Sequence, residues 1–224
     1  MRMTFGDFIA RESIAPAMSE ESKTAPRSYA HAPRLPEGPV ALDALVGPTG
    51  PLMLEIGPGR GRFALELCAQ RPDWRVLALE IRRKLAFQLD EKLAARGYGL
   101  RARCFAEDAR EALARVGPDG AVDAVAIHFP DPWWKKRHRK RMVVGDELVD
   151  TLARLVRPGG TVLVQTDVDD RAEAYFPRFA GHPAFASEGA PYVSESPFAP
   201  ARSNREALAI VDGLPVYRMV FTRR

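Results

Sequence analysis

Between residues 52 and 165, short runs of Val, Leu and Ile alternate with helical periods, and that alternation limits the fold more than any other feature. Residues 52–56, 75–80, 101–105, 122–127 and 161–165 read as buried strands. Between them, 62–70, 83–96, 109–116 and 147–156 read as helices; Leu85, Leu89 and Leu93 fall on one face of the second, and Gly97 stops it. Gly117-Pro118 and Pro158-Gly-Gly160 close the next two. Strands that alternate with helices build right-handed β-α-β units, so the expected class is α/β with a doubly wound, mostly parallel sheet. Residues 40–46 read as a short helix broken by the turn residues 47–51. Beyond a Pro- and Ser-rich loop at 191–200, residues 216–221 read as a last strand. The division expected is a flexible arm over 1–38 and one domain over 39–224, long enough to bury a core.

The fourth strand runs into His128-Phe-Pro-Asp-Pro-Trp-Trp-Lys-Lys-Arg-His-Arg-Lys-Arg141. A residue before proline is pushed towards extended backbone, so Phe129 and Asp131 are both expected to be extended. Asp131 is thereby placed just beyond the carboxyl end of a strand, where open α/β sheets bind ligands. Two tryptophans and six basic residues follow it. The chain carries a net charge of +4, and without those six it would fall to −2. The basicity is local, which favours a specific polyanion site over general stickiness. A solvated face is the plainer reading of the basic run, and the strand end and the Pro-Asp-Pro-Trp-Trp hinge weigh against it. Trp133 or Trp134 could stack on an exposed base, with Trp133 expected rather to pack the loop onto the sheet.

The first strand ends Leu54-Glu-Ile-Gly-Pro-Gly-Arg-Gly61. Glycines at this turn let a ligand lie against backbone at a helix start. A dinucleotide fingerprint would want its third glycine at position 62, where this chain has Arg62, so a nicotinamide dehydrogenase is disfavoured. A carboxylate here, Glu55, repels a pyrophosphate and attracts a cation, as S-adenosylmethionine is. Glu80 ends the second strand, placed for ribose hydroxyls, and Glu107-Asp108 follows the third, placed for an adenine amino group. Singly, such acids are most often helix caps; three in register at successive strand ends point to a cofactor.

Cys68 and Cys104 have no metal or redox spacing and are expected as buried reduced thiols. His31, His128, His138 and His182 form no ligand pattern, so no metal is expected. No run is long enough to span a membrane, and the start lacks the form of a signal peptide, so the expected home is the cytoplasm. A monomer and a homodimer both remain open.

With Phe129-Pro-Asp-Pro-Trp-x-Lys-Lys-Arg-His-x-Lys-Arg141, Leu54-Glu-Ile-Gly-x-Gly-x-Gly61, Leu79-Glu-Ile81 and Thr166-Asp167 in this order and spacing, the chain resembles the tRNA (guanine-N7-)-methyltransferases of the TrmB type from about residue 52 to 221. The resemblance implies a class I methyltransferase (Rossmann-like) fold with an antiparallel C-terminal strand, and methylation of a guanosine in the tRNA variable loop. It implies that Glu55, Glu80, Asp108 and Asp131, with the loop of Gly57, Gly59 and Gly61, hold S-adenosylmethionine, and that Asp131 is catalytic. Lys135 and Asp167 would contact the substrate, and Arg137, His138, Arg139, Lys140 and Arg141 the RNA. The family's Thr-x-x-Glu is here Ser203-Asn-Arg-Glu206, which reads equally as a substrate contact and as a helix capping box. Either Asp131 or Asp167 would face the guanine Watson–Crick edge. The rival classes are a methyltransferase of another base or a small molecule, and a non-catalytic RNA-binding protein on the same fold.

Overall fold

The computed structural model describes residues 28–130, 142–187 and 189–224. In chain order the elements are β1 Val40–Ala41, α1 Leu42–Val46, β2 Leu52–Ile56, α2 Arg62–Gln70, β3 Arg75–Leu79, α3 Arg83–Ala95, β4 Ala102–Phe105, α4 Ala109–Leu113, β5 Val116–Gly117, β6 Val122–His128, α5 Asp146–Leu155, β7 Val156–Thr166, α6 Asp169–Ala180, β8 Phe185–Ala186, α7 Asn204–Val211 and β9 Tyr217–Arg223. Seven strands form one sheet in the order β4-β3-β2-β6-β7-β9-β8. The β2, β3, β4, β6 and β7 ladders are parallel, and β9 runs antiparallel between β7 and β8. The chain therefore moves outward from β2 to β4 and then returns to lay β6 on the other side of β2. That reversal opens a crevice at the carboxyl ends of β2 and β6.

Every residue of β2 and β3 is buried, as strands covered on both faces must be. One face packs Leu52, Leu54, Ile56, Leu77, Val125, Ile127 and Val164 against apolar residues of α1, α4, α5 and α6. The other packs Met53, Val76, Ala78, Ala126 and Leu163 against Phe63 and Leu67 of α2 and Leu89 and Leu93 of α3. Both cysteines are free and lie in this second layer; burial pushes the Cys68 thiol up to about 11 and Cys104 well above its ordinary value.

Several expectations are corrected here. Residues 40–46 are not all helix, since Val40–Ala41 pairs with β5, which also shortens α4. Pro158-Gly-Gly160 does not precede a strand but lies within β7, where the ladder to β6 slips between Val122 and Ala124. Only glycine fits at position 160, because a Cβ there would come within 2.9 Å of the Asp123 carbonyl oxygen. α6 and β8 have no counterpart in the sequence reading. The arm boundary at 38 falls within packed chain: Ala32 and Leu35 are buried, and the Pro33 carbonyl accepts from Ala106 N–H at 2.7 Å. Residues 1–27 lie outside the described residues.

Candidate active site

The turn from β2 into α2 has left-handed backbone at Gly57, Gly59 and Gly61, with φ of 74°, 60° and 79°. Gly61 is also a contact point, since a Cβ there would stand 2.1 Å from Leu89 Cδ1, and Leu89 is fully buried. The loop is tied to the end of β3: Gly57 N–H donates to the Leu79 carbonyl and Gly59 N–H donates to Glu80 Oε2, both at 2.9 Å. Glu80 is buried and takes further bonds from Arg82, through its backbone N–H at 3.0 Å and its Nε at 2.9 Å. Arg82 itself is two-thirds exposed and covers the acid from outside.

Glu55 lies deeper. In the parallel register it stands opposite Ala78, so it sits inside the sheet, whereas Glu80 follows the end of β3. Asp108 lies beyond β4 as the N-cap of α4, accepting from Arg110 N–H at 3.0 Å. The three acids are therefore not level, which corrects the expectation that they share one row. Arg110 also binds the Asp108 carboxyl through its guanidinium and holds it below the usual carboxylate range. Glu107 is engaged elsewhere, by the Arg34 guanidinium at 2.8 and 3.0 Å.

Glu55 Oε1 meets His128 Nδ1 at 3.2 Å, and the Phe63 ring packs T-shaped with that imidazole, centroids 4.5 Å apart. Glu55 Oε2, His128 Nε2 and both amide atoms of Gln165 are buried without a partner among the described residues. His128 and Gln165 face each other across β6 and β7, and Gln165 is opposite Arg218 on β9. Arg218 in turn binds Glu206 at 2.8 and 3.0 Å. A buried polar row thus crosses the sheet from the glycine turn to α7. Unpaired polar atoms at such depth are costly, and they cluster at sites built to take a ligand or water.

A pocket of about 480 Å³ opens at this crevice, within the usual range for a small-molecule site. Its walls include Gly57 and Gly59 from the glycine turn, His128 to Pro130 at the end of β6, Thr166 to Val168 at the end of β7, and Ser203 to Arg205 at the start of α7. Phe129 is not extended; its φ is +49°, held by a 2.8 Å bond from its N–H to the Gln165 carbonyl. A non-glycine residue in this region stores strain, and strain of this kind gathers at functional sites. Asp167 lines the pocket and pairs with Arg205. Ser203 lines it too, and its hydroxyl accepts from Glu206 N–H at 3.1 Å, so it is the N-cap of α7. Glu206 does not line it: its Oε1 accepts two bonds from the Arg218 guanidinium. Arg60, Arg82, Arg171 and Arg205 stand around the mouth. Glu55 and Glu80 do not line the pocket; they are buried behind its wall, Glu55 against His128 and Glu80 against the Gly59 N–H. Asp131, Lys135, Arg137, His138, Arg139, Lys140 and Arg141 lie outside the described residues, as do Trp133 and Trp134.

Residues 49–219 match the sequence family described as "Putative methyltransferase". Curated relatives match most of the chain. The tRNA (guanine-N(7)-)-methyltransferase of Trichormus variabilis is 38% identical over 79% of this chain and 83% of its own. That of Synechococcus elongatus is 40% identical over 78% and 82%. The chain belongs to the tRNA (guanine-N7-)-methyltransferase family.

As a family member it is an enzyme, and its methyl donor is S-adenosylmethionine. Solved structures support the fold of this tRNA (guanine-N7-)-methyltransferase family member. The 16S rRNA methyltransferase KamB superposes with a TM-score of 0.57 at 19% identity, covering 78% of this chain and 88% of its own. TrmN of Thermus thermophilus does so with 0.54 at 21%, covering 79% and 45%. The residues of the crevice fit the donor: a ligand with a sulfonium and an amine suits the negative charge of Glu55, whose Oε2 is buried and unpaired among the described residues, and the left-handed glycines leave backbone open to close approach. Among the described residues no group of three His, Cys, Asp or Glu could hold a metal ion, and no helix is long and apolar enough to cross a membrane.

Proposed function

We propose that the crevice at the carboxyl ends of β2, β6 and β7 transfers a methyl group from S-adenosylmethionine to N7 of a guanosine in the tRNA variable loop. The observation that carries this reading is the separation of charge, with the carboxylates of Glu55 and Glu80 buried behind the glycine turn and His128, and the guanidinium groups of Arg60, Arg82, Arg171 and Arg205 lining the pocket. A cationic small molecule is favoured on the side of the buried acids and a polyanion on the side of the guanidinium groups. The family names of the relatives supply the tRNA and the N7 position.

The bound donor supplies an electrophilic methyl group on sulfur. Guanine N7 has a lone pair and no proton, so the chain needs no base to create the nucleophile. What it supplies is placement. Gly57 and Gly59 give a backbone wall that Gly61 anchors against Leu89, Glu55 offsets positive charge, and Glu80 and Asp108 are acceptors for ribose and adenine. Asp131 is the catalytic residue. A methylated N7 makes the ring cationic and its N1–H more acidic, so a carboxylate on the Watson–Crick edge binds more strongly as the reaction proceeds. Lys135, Asp167 and Ser203 hold the guanosine, and Arg137 to Arg141 grip phosphates without reading sequence. Glu206 acts indirectly, by holding Arg218. Incubation with unmodified tRNA and labelled donor, followed by mapping of the modified nucleotide, tests the reading. Methyl on N7 of a variable-loop guanosine is expected, and methyl on any other atom or nucleotide contradicts it.

Glu80 and Arg82 give a paired prediction. Glu80→Ala should weaken S-adenosylmethionine binding by about 1.5–3 kcal/mol, the worth of hydrogen bonds to a charged acceptor, with tRNA affinity nearly unchanged. Arg82→Ala should hold or raise cofactor affinity, because it frees lone pairs on Glu80 and removes a cation from the path of a cationic ligand. Calorimetry on both variants decides; a loss with Arg82→Ala equal to that with Glu80→Ala would make Arg82 a ligand itself.

A further inference from the structure

A groove between α2 and α3 leaves the pocket on the side of the glycine turn. It is lined by Arg60, Arg62, Lys92, Arg96, Tyr98 and Asn204, together with Glu66 and two apolar residues, and it shares Arg60 and Asn204 with the pocket itself. Glu66 is its one acid, and both carboxylate oxygens are spent: Oε1 on Arg62 at 2.6 Å and Oε2 on the Arg202 N–H at 2.9 Å. Arg60, Lys92 and Arg96 are exposed and make no ion pair among the described residues. Lys92 and Arg96 are one turn apart along α3 and its C-cap, so they present their charges on the same side. From Leu85, which lines the pocket, to Arg96 the helix runs about 16 Å at its rise of ~1.5 Å per residue.

Three exposed cations in a groove that begins at the active-site mouth favour an occupant of the opposite charge. A guanosine seated in the pocket leaves its sugar and phosphates at the rim, beside Arg60. The strand must then continue over the protein surface, and this groove is a charged path that starts there. We propose that the α2–α3 groove is a second phosphate track for tRNA, separate from the basic loop at 135–141, in which Arg60, Lys92 and Arg96 grip the backbone of the strand leaving the pocket. The inference rests on the tRNA reading above. Its recognition is of phosphate and shape, not of base sequence.

The test is tRNA affinity as a function of salt, measured on the full chain with unmodified tRNA, for wild type and for Lys92→Ala combined with Arg96→Ala. Removing two cations that each hold one phosphate should reduce the log–log salt slope by about 1.4–1.8, at 0.7–0.9 per phosphate. KM for tRNA should rise with kcat little changed, while the Kd for S-adenosylmethionine and Tm stay at wild-type values. Charge reversal, Lys92→Glu with Arg96→Glu, should deepen the loss. A slope and KM equal to wild type would overturn the proposal, and so would an equal loss of cofactor affinity, which would mean a damaged pocket. The two readings fail separately: a wild type that binds tRNA but leaves N7 unmethylated contradicts the function, whereas an unchanged slope in the variant contradicts only the groove.

Discussion

Asp131→Asn should lower kcat for tRNA methylation by about 10²–10³-fold, the scale seen when one group that stabilises developing charge is removed. The substitution keeps shape and one acceptor but deletes the negative charge that the cationic product ring calls for. Asp167→Asn should cost far less, about tenfold, because the Asp167 carboxylate is already compensated by Arg205, and a neutralised acid gains little as charge grows on the base. Single-turnover rates at saturating tRNA and donor separate the two, with cofactor Kd measured alongside. Equal losses, or a larger loss at Asp167, would move the catalytic role to the strand end after β7.

Gly61→Ala should destabilise the fold by about 2–5 kcal/mol. A left-handed φ of 79° costs a residue with a Cβ about 1–2 kcal/mol. The new methyl would also be driven into Leu89, which is fully buried and has no free space to turn into; overpacking of this kind costs about 1–3 kcal/mol. Because the strained residue joins the glycine turn to α2, S-adenosylmethionine binding should fall with it. Adding Leu89→Ala should return the packing part and leave the backbone part, a coupling that a double-mutant cycle in urea reads directly. Additive losses would mean that the turn and α3 do not share this contact.

The parts of the fold that were legible in the sequence are those written in local pattern. β2 and β3 are continuous apolar runs because both faces are covered, and Leu89 and Leu93 of the α3 stripe are buried where the helical period puts them. Legibility failed where distant contacts overrule local preference. α6 has no counterpart in the sequence reading at all; it runs through Pro177, with Asp169 and Asp170 favouring its N-terminus and Ala172, Tyr175 and Phe179 buried along one side. Phe129 precedes a proline and reads as extended, but its bond to the Gln165 carbonyl accompanies a left-handed φ. The site divides in the same way. The glycine turn and the acids at strand ends were visible as short motifs, whereas the offset of Glu55 from Glu80 follows from strand register, which no local pattern encodes. The Glu55–His128 pair and the Arg218–Glu206 pair needed the order β2-β6-β7-β9 before their residues could meet. The Ser203 capping box was half legible: the hydroxyl caps α7, but the carboxylate that would complete the box serves Arg218 instead.

The central claim is that N7 of guanine receives the methyl group. Transfer to tRNA carrying 7-deazaguanosine at the target position tests it most directly. The deaza base replaces N7 with a carbon bearing hydrogen, which removes the nucleophilic lone pair and leaves the N1 and N2 donors and the O6 acceptor in place. Phosphate contacts, which dominate affinity, are untouched. The account predicts binding within a few-fold of unmodified tRNA and no methyl transfer. Methylation of the deaza nucleotide at an undiminished rate would contradict it.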